Sequence, residues 1–236
     1  MVTRKSIFLI GANPEDFNDI TYGALSNLKK SDCVIISKIF KNNFLKVLKQ
    51  LNIPILFEEK ISNKKNEKKK LWKNIELLFK KYNSIAHIKE NDPIIFNDGI
   101  NEFNYFKKKF NVQFQPGVIN VVSFLNKLKL SLTDRRLNST VYFYDFVNEE
   151  LNFNFSGLGF EKVFIRINKT ADDKKLLYEL EKLKCIYEIS ILFFEKNLLL
   201  NVFDKNLRER IKYSLNKKSN VFLIFNTRKW IDLDQV

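Results

Sequence analysis

Short apolar runs alternate along the first half of the chain with segments whose apolar residues recur at helical spacing. Ser6–Ile10, Cys33–Ile36 and Ser84–Ile88 are short, mainly apolar runs, which predict buried strands. Ile20–Leu28 and Glu67–Tyr82 carry their apolar residues on one helical face, which predicts helices between those strands. Strands that alternate with helices are typical of an α/β fold with a mainly parallel sheet.

The second half of the sequence predicts a different sheet. Two predicted strands, Ile186–Phe194 and Leu198–Phe203, follow each other without a helix between them, which indicates a mixed sheet. Pro116-Gly117 is the best candidate for a domain boundary, because both residues favour turns. We therefore expect an N-terminal α/β domain over residues 1–115 and a C-terminal α/β domain over residues 116–236.

Composition narrows the classes of function. The 236 residues are 45% hydrophobic and 29% charged, which excludes global disorder. Two cysteines and one histidine exclude a disulfide scaffold, a cysteine-rich zinc site and a site built on several histidines, so we expect no metal. The histidine, His87, lies within a strand pattern and is interpreted as a packed, hydrogen-bonded residue, with a catalytic role as the less favoured alternative. The apolar runs are too short to cross a bilayer and no signal-peptide pattern opens the chain, so we expect a cytoplasmic protein without a membrane partner.

Much of the net charge of +14 is local. Residues 60–81 carry nine lysines and two glutamates. Such a basic block can bind nucleic acid or another polyanion. Leu71, Ile75 and Leu78 nevertheless recur at helical spacing, so a solvated helix face is the favoured interpretation. A nucleic-acid partner is therefore kept as the less favoured alternative.

Three turns that follow predicted strands are candidates for ligand contact. They are Gly11-Ala12-Asn13-Pro14-Glu15-Asp16, Glu90-Asn91-Asp92-Pro93-Ile94-Ile95-Phe96 and Pro116-Gly117-Val118-Ile119-Asn120. Ligands of parallel α/β sheets bind outside the carboxyl ends of strands, where these turns are expected to lie. The first turn lacks the spaced glycines of a dinucleotide fingerprint and no Gly-Lys-Ser/Thr follows, so both common nucleotide motifs are excluded.

In order and spacing, these turns resemble those of the tetrapyrrole methylases, which are S-adenosylmethionine-dependent enzymes of siroheme and cobalamin synthesis. The first turn is similar to the family's G-A-G-P-G-D, and Glu90–Asn97 is similar to its G-G-D-P-F-I-F-G. Gln115–Val121 is similar to V-P-G-I-T-S-A, and Lys129–Arg135 to G-I-P-L-T-H-R. The resemblance covers about residues 5–145.

The resemblance implies two α/β domains with a cleft between them, S-adenosylmethionine as cofactor and a homodimer. It implies methyl transfer to a carbon of an anionic, uroporphyrinogen III-like tetrapyrrole. The family's proposed proton-accepting aspartate falls on Ser37 and its catalytic lysine near Lys60, so no catalytic residue is assigned. The implied cofactor contacts are Pro14, Glu90, Asn91, Asp92, Ile95, Ile119 and Asn120, and the implied substrate contacts are Lys38 and Arg135.

Two alternatives remain beside an active tetrapyrrole C-methyltransferase. One is a degenerate relative that folds without catalysing the reaction. The other is a methyltransferase of the same fold that acts on ribosomal RNA, an alternative that the net charge suits.

Overall fold

The structure is a computed structural model of the chain. It describes residues 5–14, 16–40, 42–58, 68–95, 97–127, 129, 133, 139–146, 160–167, 172, 174–176, 178–179, 182, 190–195, 198–201 and 222–226. The chain divides into two compact units, Met1–Ser123 and Phe124–Val236. The predicted domain limits at residues 115 and 116 stay a prediction.

The first unit is built on a sheet of five parallel strands in the order β3-β2-β4-β1-β5. All four residues of β2 are buried, as are the middle residues of β4, because helices cover both faces of the sheet. The strands are β1 (Ser6–Ala12), β2 (Cys33–Ile36), β3 (Ile55–Phe57), β4 (Ser84–Glu90) and β5 (Asn111–Gln115).

Helices connect these strands, as the alternating pattern predicts. The start of α1 is fixed by Thr21, whose hydroxyl accepts a hydrogen bond from the Ala24 amide over 3.2 Å. A short 3-10 turn, Phe17–Asp19, precedes that helix. The helices are α1 (Tyr22–Lys29), α2 (Asn42–Gln50), α3 (Lys68–Leu78), α4 (Gly99–Phe106) and α5 (Asn120–Lys127).

The two faces of this sheet carry separate apolar cores. Ala24 and Leu28 of α1 and Phe44 of α2 pack on one face. Trp72 of α3 and Phe106 of α4 pack on the other. The connection that leaves β1 therefore runs over one face, and the connection that leaves β4 runs over the opposite face. Because β1 and β4 are neighbours, the topological switch point of the sheet lies between their carboxyl ends.

The second unit contains a five-stranded sheet in the order β6-β7-β10-β8-β9. The β6–β7 pair is parallel, and the other three pairs are antiparallel. The strands are β6 (Ser139–Phe146), β7 (Phe160–Ile167), β8 (Ser190–Glu195), β9 (Leu198–Asn201) and β10 (Phe222–Asn226).

The expected α/β class with a mainly parallel first sheet is confirmed. The predicted helix Glu67–Tyr82 is shorter in the structure, because the chain turns after Leu78 and the Lys81 amide donates to the Leu78 carbonyl. Residues 207–215, whose sequence pattern also predicts a helix, lie outside the described residues. Within the described part of the chain, no helix has the length and apolar content needed to cross a membrane.

Candidate functional site

Three loops meet at the switch point, and we call them the strand-end loops. The first follows β1 and covers residues 11–16, the second follows β4 and covers residues 90–97, and the third follows β5 and covers residues 115–119. β1 lies between β4 and β5 in the sheet, so its loop is flanked by the other two. The Asn91 amide donates to the Ala12 carbonyl over 2.7 Å, which joins the first loop to the second directly.

Two glycines allow the loops to approach each other at the level of the main chain. A Cβ on Gly11 would lie 2.6 Å from the Gly117 nitrogen and would also collide with the Asn91 carbonyl. A Cβ on Gly117 would lie 2.5 Å from the Gly11 carbonyl carbon. Atoms of the backbone cannot move aside as a flexible side chain can, so both positions require glycine. The contact therefore brings all three loops together at Gly11, Asn91 and Gly117.

Asp92 links the second loop to the third. Its Oδ1 accepts hydrogen bonds from the amides of Ile94 and Ile95, over 2.8 and 3.2 Å, which closes a turn. Its Oδ2 accepts from the Gly117 amide over 3.3 Å. One carboxylate thus fixes the shape of its own loop and the position of the neighbouring one.

The conformation of the second loop depends on two asparagines. Asn91 is buried and has φ of 60°, in the left-handed region that asparagine tolerates better than most residues other than glycine. The Asn97 side chain donates to the carbonyls of Glu90 and Asp92, over 2.6 and 2.7 Å. The loop is therefore closed internally by its own side chains.

Further contacts fix the first and third loops. The Asn13 side-chain amide and the Ser123 hydroxyl both donate to Oδ2 of Asp19, each over 2.5 Å. The Thr21 hydroxyl donates to the Pro116 carbonyl over 3.2 Å. The 3-10 turn and the start of α1 therefore support the first and third loops of the site.

The structure brings several of the predicted cofactor residues to these loops. Pro14, Asn91 and Ile119 are buried, and Glu90, Asp92 and Ile95 are partly buried. Asn120 is the first residue of α5, and its side chain lies outside the described residues. Their role in binding a cofactor stays a prediction.

The predicted substrate and catalytic residues are less concentrated. Lys38 is exposed after β2, which is separated from β1 by β4. The Ser37 hydroxyl accepts from the Ile39 amide over 3.4 Å, a contact typical of a turn. Arg135 and Lys60 lie outside the described residues.

A second polar group lies on the α3/α4 side of the sheet, and we call it the charge cluster. It consists of Glu58, His87, Lys89, Asp98 and Glu102, with Lys68 at its rim. His87 is buried on β4 with Nδ1 2.5 Å from Oε1 of Glu102 and Nε2 2.5 Å from Oε1 of Glu58. Lys89 Nζ lies 2.5 Å from Oε2 of Glu102 and 3.7 Å from Oδ1 of Asp98.

The pKa values in this cluster favour its charged forms. Burial raises the pKa of Glu102, but the His87 and Lys89 cations lower it by more, and the net result is a pKa of about 2. Burial lowers the pKa of His87, but the carboxylate of Glu102 and hydrogen bonds to Glu102 and Glu58 outweigh that effect and raise it. Burial also lowers the pKa of Lys89, but the neighbouring carboxylates outweigh that effect and raise it.

The sequence gives only a weak signal for this cluster. Ile85, His87 and Lys89 alternate along a buried strand, so two polar residues fall on a face that should be apolar. The packed, hydrogen-bonded interpretation of His87 agrees with the structure. Its partners were missed because Glu58 and Glu102 are 29 and 15 residues away in the sequence.

Comparison with known proteins gives one family match. The family model of Tetrapyrrole (Corrin/Porphyrin) Methylases matches residues 6–165, which include the three strand-end loops. A uroporphyrinogen-III C-methyltransferase from Cyanidium caldarium is 27% identical over 146 residues, 60% of this chain and 57% of that protein. A siroheme synthase from Blochmanniella pennsylvanica (strain BPEN) is 24% identical over 156 residues, 64% of this chain and 33% of that protein.

Solved structures share the fold along nearly the whole chain. A uroporphyrin-III-C-methyltransferase from Thermus thermophilus superimposes with a TM-score of 0.67 at 18% identity, covering 95% of each chain. A cobalamin biosynthetic enzyme, cobalt precorrin-4 methyltransferase, gives a TM-score of 0.67 at 13% identity, covering 93% of this chain and 94% of the other. At these identities the likeness establishes the fold.

Proposed function

The chain belongs to the tetrapyrrole methylase family, and from this premise we propose that it is an S-adenosylmethionine-dependent C-methyltransferase. Its proposed substrate is a uroporphyrinogen III-like tetrapyrrole of siroheme or cobalamin synthesis. The names of its relatives, a uroporphyrinogen-III C-methyltransferase and a siroheme synthase, support this substrate class. A homodimer in the cytoplasm is proposed with it.

The observation that carries the proposal is the meeting of three loops at the switch point of a parallel sheet. Open α/β sheets bind ligands at that point. The contact between Gly11 and Gly117 and the Asp92–Gly117 hydrogen bond hold the loops as one surface. A site made largely of fixed backbone groups suits a reaction that depends on positioning.

The charge of the loops also suits the cofactor. S-adenosylmethionine carries a sulfonium and an ammonium against one carboxylate, so its net charge at neutral pH is positive. Glu90 and Asp92 place carboxylates in the second loop, where they favour a cationic ligand. We propose that the cofactor contacts are Pro14, Glu90, Asn91, Asp92, Ile95, Ile119 and Asn120, and that Lys38 and Arg135 hold substrate carboxylates.

When bound, the cofactor would supply a sulfonium methyl group: a nucleophilic ring carbon would bond to that methyl as the S–CH3 bond breaks, S-adenosylhomocysteine would leave, and a proton would pass from the tetrapyrrole to water. The residues of this chain orient the two reactants and exclude water. The Ser37 hydroxyl has no role as a base in this proposal, because a serine is a poor base near neutral pH.

Two measurements on the full chain test the proposal. Calorimetry with S-adenosylhomocysteine is expected to show binding, weakened about tenfold by Asp92→Asn, which removes the charge from the hydrogen bonds that hold the loop. Glu76→Gln, which changes a partly exposed carboxylate on α3, serves as the control. Anaerobic incubation with uroporphyrinogen III and methyl-labelled cofactor is expected to yield labelled tetrapyrrole.

Each other outcome identifies an alternative. Absence of heat at millimolar S-adenosylhomocysteine, together with absence of labelled product, contradicts the proposal and favours a degenerate relative. If the chain binds S-adenosylhomocysteine, and a parallel incubation with ribosomal RNA fragments labels the RNA while the tetrapyrrole stays unlabelled, the RNA methyltransferase is favoured.

A further inference from the structure

We propose that His87 is a positioning residue that, as an imidazolium between Glu58 and Glu102, holds the second strand-end loop in the shape that receives the cofactor. The ligand in this inference rests on the proposed function. The effect on the loop stands without it and can be measured separately.

The geometry of the ring requires the charged form. Each ring nitrogen of His87 lies 2.5 Å from a carboxylate oxygen, one on Glu102 and one on Glu58. A neutral imidazole has a single N–H donor, so its other nitrogen would set a lone pair against a carboxylate oxygen. An imidazolium donates from both nitrogens and satisfies both contacts.

The charge count of the cluster leads to the same form. Among the described residues, the groups that form ion pairs around His87 are three carboxylates, on Glu58, Asp98 and Glu102, and two lysines. The lysines are Lys89 on β4 and Lys68 on α3. With neutral His87 the cluster would hold an excess negative charge next to the apolar core of Trp72 and Phe106, and with cationic His87 it is balanced.

The cluster is connected to both ends of the second loop. Oε1 of Glu102 contacts His87 and Oε2 contacts Lys89, so the two cations share one carboxylate. Lys89 comes immediately before the loop, and Asp98, 3.7 Å from Lys89 Nζ, comes immediately after it. Loss of the proton on His87 therefore loosens the joint between the end of β4 and the start of α4, on which the path of the loop depends.

The direction of the pH dependence follows from the partners. The pKa of His87 is raised in the folded chain. The stabilisation that its charge gives to the folded state is therefore complete below the unfolded pKa of 6.5 and is lost as pH rises through the folded pKa. Burial and the Lys89 cation lower the pKa of His87, and the carboxylates of Glu102 and Glu58 raise it by more. Ordering of the loop and cofactor affinity are thus expected to fall on the alkaline side.

A titration of the full chain by NMR tests the charged form. His87 is the one histidine in the sequence, so its ring protons give an unambiguous signal. The midpoint is expected above that of a histidine in a peptide and is expected to move to lower pH in Glu58→Gln. Glu76→Gln, at a partly exposed ion pair with Lys109, is expected to leave the midpoint unchanged. A neutral ring at pH 6 in the native chain overturns the inference.

Hydrogen exchange at the Asn91 amide tests the effect on the loop without any ligand, since that amide donates to the Ala12 carbonyl. Relative to the native chain at the same pH, exchange is expected to be about tenfold faster in His87→Gln, and His87→Arg is expected to restore slow exchange because it keeps a cation. If His87→Arg fails to fold, Glu58→Gln provides the test. In that variant His87 should lose its proton at lower pH, so exchange at the Asn91 amide should become faster than in the native chain at a lower pH. Equal exchange in all variants overturns the inference.

Affinity for S-adenosylhomocysteine, measured from pH 6 to pH 9, tests the link to the cofactor. We expect His87→Gln to bind about tenfold more weakly than the native chain at pH 6 and the two to converge at alkaline pH. Titration of the ligand itself affects all variants equally and cancels in this comparison. Parallel profiles overturn the positioning role. Absence of binding by the native chain at every pH contradicts the proposed function instead, while the exchange data still decide the effect on the loop.

Discussion

The strand-end loops and the charge cluster both adjoin the carboxyl end of β4, but they are held together by different forces. The loops depend on backbone contacts at Gly11, Asn91 and Gly117 and on short-range hydrogen bonds. The charge cluster depends on side-chain charges, with His87 and Glu102 fully buried. The difference indicates that the loops should be sensitive to added atoms, and the cluster to added or removed charge.

Removal of the central carboxylate of the cluster is expected to have the largest effect. Glu102→Gln leaves His87 and Lys89 as buried cations without their shared partner, so the free energy of unfolding should fall by about 3–5 kcal/mol. Glu76→Gln breaks an ion pair at the protein surface and should cost about 1 kcal/mol or less. Denaturant titration measures both, and equal losses would contradict the distinction between buried and exposed pairs.

The same carboxylate predicts the response to acid. The pKa of Glu102 falls from 4.5 to about 2 on folding, so its stabilisation is complete above 4.5 and is lost as pH falls through about 2. The native chain should therefore lose stability over this range more steeply than Glu102→Gln. Thermal unfolding between pH 5 and pH 2 provides the measurement, and superimposable curves for the two proteins would count against the charged cluster.

Added atoms test the other side of the comparison. Gly117→Ala places a Cβ against the backbone of Gly11 and Asn91 and should cost about 3 kcal/mol, or about 6–12 °C in Tm. Gly23→Ala in α1 is the matched control, because its Cβ meets the flexible side chain of Gln115 and alanine favours a helix. Calorimetric melting should show a change of about 1 kcal/mol or less for the control. Similar losses in both variants would remove the case for close contact between the loops.

A smaller effect is expected at Asn91. Valine is strained at a φ of 60°, so Asn91→Val should cost about 1–2 kcal/mol through the backbone alone. Asn91→Gly should lie close to the native chain, since glycine adopts this conformation without a steric penalty. Chemical denaturation should therefore give a higher free energy of unfolding for Asn91→Gly than for Asn91→Val, and the reverse order would contradict the prediction.

The smallest effect is expected at Ser37. Its hydroxyl accepts from the Ile39 amide in a turn, so Ser37→Ala should change stability by about 1 kcal/mol or less. Methyl transfer should stay within about twofold of the native rate, because the serine is not a base in the proposed reaction. A loss of two orders of magnitude in a single-turnover assay would assign it a direct part in catalysis.

The sequence predicts the first sheet well because its signals are local. Apolar runs such as Cys33–Ile36 and turn residues such as Pro116-Gly117 mark each strand and its end, and parallel strands then place their ends at one edge. The meeting of the loops therefore follows from the order of the strands. The tight contact of Gly11 with Gly117 does not, because it depends on the register of β1 against β5.

The charge cluster could not be predicted in the same way. His87 pairs with residues from two other elements, and no rule of spacing joins a strand to the end of β3 or to the first turns of α4. The alternation of Ile85, His87 and Lys89 does indicate that buried polar residues need partners. It does not indicate which of the many acidic residues provide them.

The left-handed backbone at Asn91 has a consequence for how this chain can vary over time. Asparagine adopts there a conformation that in most proteins is given to glycine, so a glycine codon can be lost without rerouting the main chain. Nucleotide composition can therefore drift far while the path of the polypeptide stays the same. The backbone conformation of a loop can then still indicate common descent after the residues of its sequence motif have been substituted.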